Sequence, residues 1–239
     1  MEVLREVAGE LGVGLDLTQL EMFQTYYEEL IDWNQRVNLT AVTDYEEVQI
    51  KHFADSLAVL LALATDDLGD GPSLVDFGSG AGFPGLPLKI VRPAWRVVLV
   101  ESTRKKTAFL EHIINQLGLQ DTDVVWARAE EVGRDLAYRE QFDVAVARAV
   151  AGLAVLVEYA LPLLRLGGRF VAQKGSDPSD EIRAAEKAID TLGGGYSSTI
   201  PYRLPAFDAP LHLVVIEKVS PTPGKYPRRP GMPAKRPIG

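Results

Sequence analysis

The residues best placed for chemistry lie in LVDFGSGAGFPGLPLKI, residues 74–90. An apolar run carries a carboxylate, Asp76, near its end and delivers Gly78, Gly80 and Gly82 into a turn, after which Pro84 opens a helical stretch. Glycine reaches positive φ without a Cβ penalty and lets a ligand lie on bare backbone at a helix N-terminus. About twenty residues further on, a second β-branched run ends in Glu101, where a carboxylate can accept both ribose hydroxyls of an adenosine. Together these residues point to an adenosine-containing cofactor.

Two chemistries compete for that cofactor. Gly80, Gly82 and Gly85 fit G-x-G-x-x-G, so an NAD(P)-dependent oxidoreductase of Rossmann type must be weighed. Asp76 favours methyl transfer instead, because an acid there can serve the amino-acid cation of S-adenosylmethionine, directly or through water, and would repel a pyrophosphate. The bulk of Phe83-Pro84 also leaves less room for two phosphates.

The surrounding elements must hold that turn at a sheet edge. VLREVAGEL, QLEMFQTYYEELIDWNQRV and EEVQIKHFADSLAVLLAL repeat apolar residues at three- and four-residue spacing and read as a helical extension over residues 1–70. From Ser73 the texture changes to β-branched runs alternating with helical segments, the mark of an α/β fold with a mostly parallel sheet. Strands are predicted at 74–78, 96–101, 123–129, 142–149 and 168–175, and YSSTIPYRL and HLVVIEKV read as a closing hairpin, giving a seven-stranded sheet. Helices are predicted from Pro84 to Val91, Lys105 to Leu117, Glu130 to Tyr138, Leu153 to Leu164 and Asp177 to Leu192. The domain spans 71–219 and a basic, proline-rich tail spans 220–239.

Composition narrows the function classes. With no cysteine, disulfides, thiolate metal sites and thiol nucleophiles are excluded, and with them the covalent chemistry of pyrimidine-C5 methylation. His52, His112 and His212 lack ligand spacing, so no metal is expected. An acidic, amphipathic start and no long apolar run predict a cytoplasmic protein without membrane contact, and a monomer is expected. The net charge of −8 argues against nucleic acid until its distribution is seen. Lys218, Lys225, Arg228, Arg229, Lys235 and Arg236 fall in a final stretch with six prolines and no acid. Such a segment reads as an extended, non-packing arm for phosphates or as a solvated terminus.

DFGSGAGFPGLPLKIVRP, followed in order by ESTRKKTAFL, ARAEE, ARAV and QKG, resembles the RsmG (GidB) family of bacterial 16S rRNA guanine-N7 methyltransferases. The similarity runs upstream through WNQRVNLTAVTD and KHFADSL and downstream through HLVVIEK to YPRRPGMPAKRPIG, from about Leu30 onward. Phe77 departs from it, standing where the family more often has a smaller aliphatic residue. The resemblance implies the class I S-adenosylmethionine-dependent methyltransferase fold (Rossmann-like, helices on both faces of the sheet), S-adenosylmethionine as cofactor, and a guanine in the decoding-region loop of 16S rRNA, naked or in a small-subunit particle, as target. It further implies that Gly78 and Phe83 line the cofactor turn, that Glu101, Ser102 and Thr103 meet the ribose, that Ala129 and Glu130 meet the adenine, and that Arg148 lies beside the transferred methyl.

Guanine N7 is a lone pair with no proton to lose, so its methylation needs alignment and no general base. The sequence agrees: no Asn-Pro-Pro-Tyr-like motif follows the fourth strand, and Arg148 takes that place as the candidate catalytic residue, able to bond guanine O6, bind a phosphate, or pair structurally with Asp76 or Glu130. Lys174, Arg104 and Lys105, with Lys225, Arg228, Arg229, Lys235 and Arg236 of the tail, are the candidate RNA contacts. Loss of the tail is expected to weaken RNA engagement while sparing cofactor affinity. His52 and Asp55 are expected to form a structural pair, and Tyr26, Tyr27 and Trp33 to serve the core. A small-molecule methyltransferase and a noncatalytic RNA-binding protein remain as rivals.

Overall fold

A computed structural model describes residues 1–63, 68–69, 71–148, 151–175 and 177–239. Its seven-stranded sheet has the order β3-β2-β1-β4-β5-β7-β6. The strands are β1 (Ser73–Phe77), β2 (Arg96–Glu101), β3 (Thr122–Trp126), β4 (Phe142–Arg148), β5 (Leu164–Lys174), β6 (Gly194–Tyr202) and β7 (Leu211–Lys218). The first five run parallel, and β7 enters antiparallel between β5 and β6. Strand order reverses between β1 and β4, so a crevice opens at their carboxyl ends, the usual ligand site of such sheets. Asp76, Glu101, Arg148 and Lys174 all stand at or near strand ends on that edge.

Period-two alternation in β1 explains the two cores. Leu74 turns to one face and joins Leu4, Phe23, Tyr26, Leu30, Phe53, Leu57 and Phe109. Val75 and Phe77 turn to the other and join Leu153, Leu156, Phe170, Ala188 and Ile216. The first face is covered by α1 (Glu2–Glu10), α2 (Leu17–Val37), α5 (Gly85–Val91) and α6 (Arg104–Leu117). The N-terminal helices thus form a layer of the fold's own core. Asp16 and Gln19 close a reciprocal capping box at the start of α2. The second face carries α8 (Leu153–Ala160) and α9 (Ser179–Thr191), and Phe77 packs there on Tyr159 and Phe170, the space its bulk requires.

Several boundaries differ from the sequence reading. The segment after Asp44 begins as α3 (Tyr45–Val48), widens into a π-helical stretch (Gln49–Ala54), and continues as α4 (Asp55–Leu57) and a 3-10 turn (Ala58–Ala62). The helix predicted to Leu164 stops at Ala160, since Pro162 has no N–H to continue it. That predicted over Glu130–Tyr138 shrinks to α7 (Ala129–Val132), ending at Gly133. The predicted third strand ends at Trp126, and residue 149 of the predicted fourth lies outside the described residues.

The tail is the main correction, for it packs. Proline-rich chain is short of donors, so its carbonyls set the demand, and arginines of the body meet it. Arg134 Nε donates to Pro227 O at 2.7 Å, and Arg139 donates to Tyr226 O and Thr222 O at 2.8 Å each. Arg228 forks onto Glu158, Pro233 is buried, and α10 (Met232–Lys235) closes the chain.

Tyr26, fully buried, donates from its hydroxyl to Ala81 O in the glycine turn and stacks on Phe83. Tyr26→Phe strands that carbonyl, and chemical denaturation should read a loss of about 1–2 kcal/mol; an unchanged midpoint would show that the turn needs no anchor from α2.

Candidate functional site

The turn after β1 is built on three left-handed glycines, Gly78 (φ 71), Gly80 (φ 59) and Gly82 (φ 94). A Cβ on Gly82 would also stand 2.5 Å from Leu86 Cδ1 and 2.6 Å from the Tyr26 hydroxyl, so only glycine fits. Backbone amides of Gly78 and Ser79 donate to Val100 O, which ties the turn to β2. Glu101 completes the tie: Oε2 accepts from Gly80 N at 3.0 Å and Oε1 from Thr103 N at 2.7 Å. Its carboxylate is thereby fixed at the crevice before any ligand arrives.

Asp76 is fully buried, with Oδ2 accepting from Gly85 N at 2.9 Å and Oδ1 left without a hydrogen-bond partner among the described residues. Burial pushes its carboxyl up to about 7, against the opposing pull of the Gly85 amide and Arg148. An orphaned buried acceptor beside a glycine turn fits a ligand that brings a cationic or donor group.

Between the tips of β1, β2 and β3 lies a cavity of about 140 Å³ lined by Phe77, Gly78, Val100, Ser102, Ala127, Arg128, Ala129, Glu130 and Tyr159. Of the residues expected to hold an adenosine, Gly78, Ser102, Ala129 and Glu130 converge there. Phe83 lies elsewhere, stacked between His52 at 4.7 Å and Tyr26 at 5.4 Å between centroids, and supports the turn through aromatic packing.

A second cavity, of about 280 Å³, opens at the β4 and β5 tips and is lined by Arg148, Lys174, Asp55, Gln173 and Tyr202 among others. Arg148 Nη1 donates to Asp55 Oδ2 at 2.9 Å and to Lys51 O at 3.1 Å, while Nη2 meets His52 Nδ1 at 3.3 Å. Its guanidinium carbon stands 5.1 Å from the Phe83 ring centre. Tyr202 donates to the other Asp55 oxygen at 2.6 Å. The pairing of Arg148 with Asp76 or Glu130 is not formed; Asp55 is the partner. His52 and Asp55 are joined through Arg148, and burial, reinforced by that arginine, lowers the His52 ring to about 4. The ring is neutral, with Nδ1 facing both the Arg148 guanidinium and Lys51 O at 3.1 Å and Nε2 lying 2.7 Å from Thr40 Oγ1.

The candidate RNA contacts divide. Lys174 is drawn inward, bonding Glu181 at 2.9 Å and Ala151 O, and Arg228 is taken by Glu158. Arg104, Lys105, Lys225, Arg229, Lys235 and Arg236 are exposed, with Arg104 lying 5.2 Å from the centre of the exposed Trp126 ring. Sequence reasoning missed Gln173 and Tyr202 as cavity walls. Gln173 was visible in QKG, but Tyr202 reaches Asp55 across 147 residues and leaves no local signal.

A family model described as rRNA small subunit methyltransferase G matches residues 19–203. The chain is 54% identical over 239 residues to the ribosomal RNA small subunit methyltransferase G of Roseiflexus castenholzii, covering 100% of both chains. With the protein of that name from Pelotomaculum thermopropionicum it shares 49% over 237 residues, covering 99% of this chain and 98% of the relative. Among solved structures it is similar to the [4+2]-cyclase SpnF, with a TM-score of 0.55 at 17% identity over 70% of this chain and 81% of that chain, a likeness of fold alone.

The raised carboxyl of Asp76 has a sign. Between its ordinary value and about 7 the folded chain holds a proton that the unfolded chain has released, so this group's contribution to stability falls as pH rises through that window. Asp76→Asn should remove that slope, leaving the apoprotein more stable than the parent near pH 8 and little changed near pH 4. Parallel melting curves for the two proteins across this range would refute the assignment.

Proposed function

The chain belongs to the rRNA small subunit methyltransferase G family, and on that premise we propose that it methylates N7 of a guanine in the decoding-region loop of 16S rRNA, in the bacterial cytoplasm. The family is S-adenosylmethionine-dependent, and the fold is that of class I methyltransferases. The observation that carries the detailed reading is the pair of cavities at the strand tips: one beside the glycine turn and Glu101, the other walled by Arg148 and Lys174.

The residues present fit the cofactor. Ser102, Ala129 and Glu130 would enclose the adenine end, Glu101 would take ribose hydroxyls, and the turn of Gly78, Gly80 and Gly82 would run beneath the adenosyl group. The orphaned Asp76 oxygen would serve the amino-acid portion, directly or through water. When bound there, S-adenosylmethionine supplies an electrophilic methyl carbon and becomes S-adenosylhomocysteine.

The second cavity takes the guanine. Guanine presents O6 and N7 together along one edge, and arginine is the side chain that most often reads that edge. Arg148, fixed by Asp55, Lys51 O and His52, offers a donor of set position. A tyrosine hydroxyl and a guanidinium occupy both Asp55 oxygens, and His52 is neutral with both nitrogens engaged. None of these groups is set up to remove a proton, and N7 methylation requires no removal. The contribution asked of them is alignment. The exposed tail cations and Arg104 and Lys105 supply counter-charge for the RNA backbone.

Three outcomes test this reading. Incubation with labelled S-adenosylmethionine and small subunits or 16S rRNA, followed by mass mapping, should place one 7-methylguanosine in the decoding-region loop; label on another base or none would overturn it. Arg148→Lys, which keeps the charge and loses the fork, should lower kcat by about 100-fold while S-adenosylhomocysteine affinity stays within about threefold. Neutralising Lys225, Arg229, Lys235 and Arg236 together should flatten the salt dependence of RNA binding, reducing its logarithmic slope by up to about 3. An unaltered slope would remove the tail from the RNA contact surface.

A further inference from the structure

The tail touches the body at the wall of the cavity read above as the adenine end. Gly231 N donates to Glu130 Oε1 at 2.8 Å, and Glu130 lines that cavity. Three residues on, the Pro227 ring fills the space over Gly133, where a Cβ would come within 3.0 Å of Pro227 Cγ. Pro227 O accepts from Arg134. The segment from Glu130 to Arg134, the whole of the short α7 after its first residue, is therefore gripped from both ends by tail residues.

The grip has an anchor in α8. Glu158 is fully buried, and its carboxylate accepts from Arg228 N at 2.8 Å, Nε at 2.9 Å and Nη2 at 2.6 Å. A polar group so deep needs partners beside it, and the tail supplies a cation and a backbone donor. The next residue along, Tyr159, lines the same cavity as Ala129 and Glu130. Two walls of one cavity, from α7 and α8, are thus each tied to the same five-residue stretch of tail, 227–231. α7 itself is a single turn, too short to hold a fixed position by its own hydrogen bonds.

We propose that the C-terminal tail is a strap that positions the adenine pocket, with Arg228 acting through Glu158 and Gly231 acting through Glu130 to hold the walls against the purine of S-adenosylmethionine. The inference rests on the reading of this cavity as the adenine end. It reverses the expectation that loss of the tail leaves cofactor affinity untouched: the inner side of the tail serves the cofactor, and the exposed Lys225, Arg229, Lys235 and Arg236 are left for the RNA.

The test is calorimetric titration of the full chain with S-adenosylhomocysteine and with S-inosylhomocysteine, which differs only in carrying hypoxanthine for adenine. Arg228→Gln should weaken S-adenosylhomocysteine by about tenfold and the hypoxanthine analogue by far less, so that preference for adenine collapses, and Arg228→Lys should restore most of it. The paired Glu158→Gln, Arg228→Gln variant removes both charges, avoids stranding a buried carboxylate, and should show the same loss of preference. Unchanged S-adenosylhomocysteine affinity in a folded variant would overturn the strap, as would equal weakening of both analogues, which marks general loosening. Failure of the parent chain to bind S-adenosylhomocysteine would instead overturn the cofactor reading on which the strap depends.

Discussion

The guanidinium of Arg148 is where the layers of this protein meet. It sits at the last residue of β4, bonds the π-helical stretch through Lys51 O and His52, and pairs with Asp55 at the start of α4. Asp55 in turn holds Tyr202 at the end of β6. One ion pair therefore joins the N-terminal helices, the middle of the sheet and its antiparallel edge. Removing one partner of so buried a pair costs about 3–5 kcal/mol, because the other is left uncompensated.

This dependence explains which parts of the molecule could be read from the chain. The glycine turn, the carboxylate of Glu101 at the end of β2 and the alternation of strand and helix are local: each is encoded within one βαβ unit, and each is found where the spacing predicts. The strand count of seven and the closing hairpin were legible for the same reason. Asp55, Gln173 and Tyr202 meet only because three distant segments converge, with separations of 93 residues for Arg148 to Asp55 and 118 for Gln173 to Asp55. The surroundings of Arg148 were therefore hidden even though the residue itself was not.

The tail misled for a different physical reason. Six prolines and six cations in its neighbourhood describe a segment that cannot build a ladder of its own, and that much is right. Lacking a ladder is not lacking partners. The carbonyls left over by proline are strong acceptors, and Arg134 and Arg139 meet them from the body. Charge works in the same direction, since all 33 acids precede Lys218 and the basic segment folds back onto Glu130, Glu140 and Glu158. Buried Glu158 needs a cation, and the tail brings it in Arg228.

The two ends of the crevice solve opposite problems. Beside the glycine turn, groups are left partly unsatisfied: Asp76 Oδ1 has no hydrogen-bond partner among the described residues and its carboxyl is driven upward by burial, a cost that a cationic ligand group would relieve. Around Arg148 the titratable side chains are committed: both Asp55 oxygens are bonded, His52 is engaged at both ring nitrogens, and Lys174 is paired with Glu181. For a reaction that had to remove a proton, such commitment would be a defect, because a base held in an ion pair has lost its affinity for protons. Attack by a ring nitrogen's lone pair makes no such demand. A site whose charged groups are locked together gives up acid–base power and gains fixed geometry, and fixed geometry is what the transfer of a methyl group to N7 rewards.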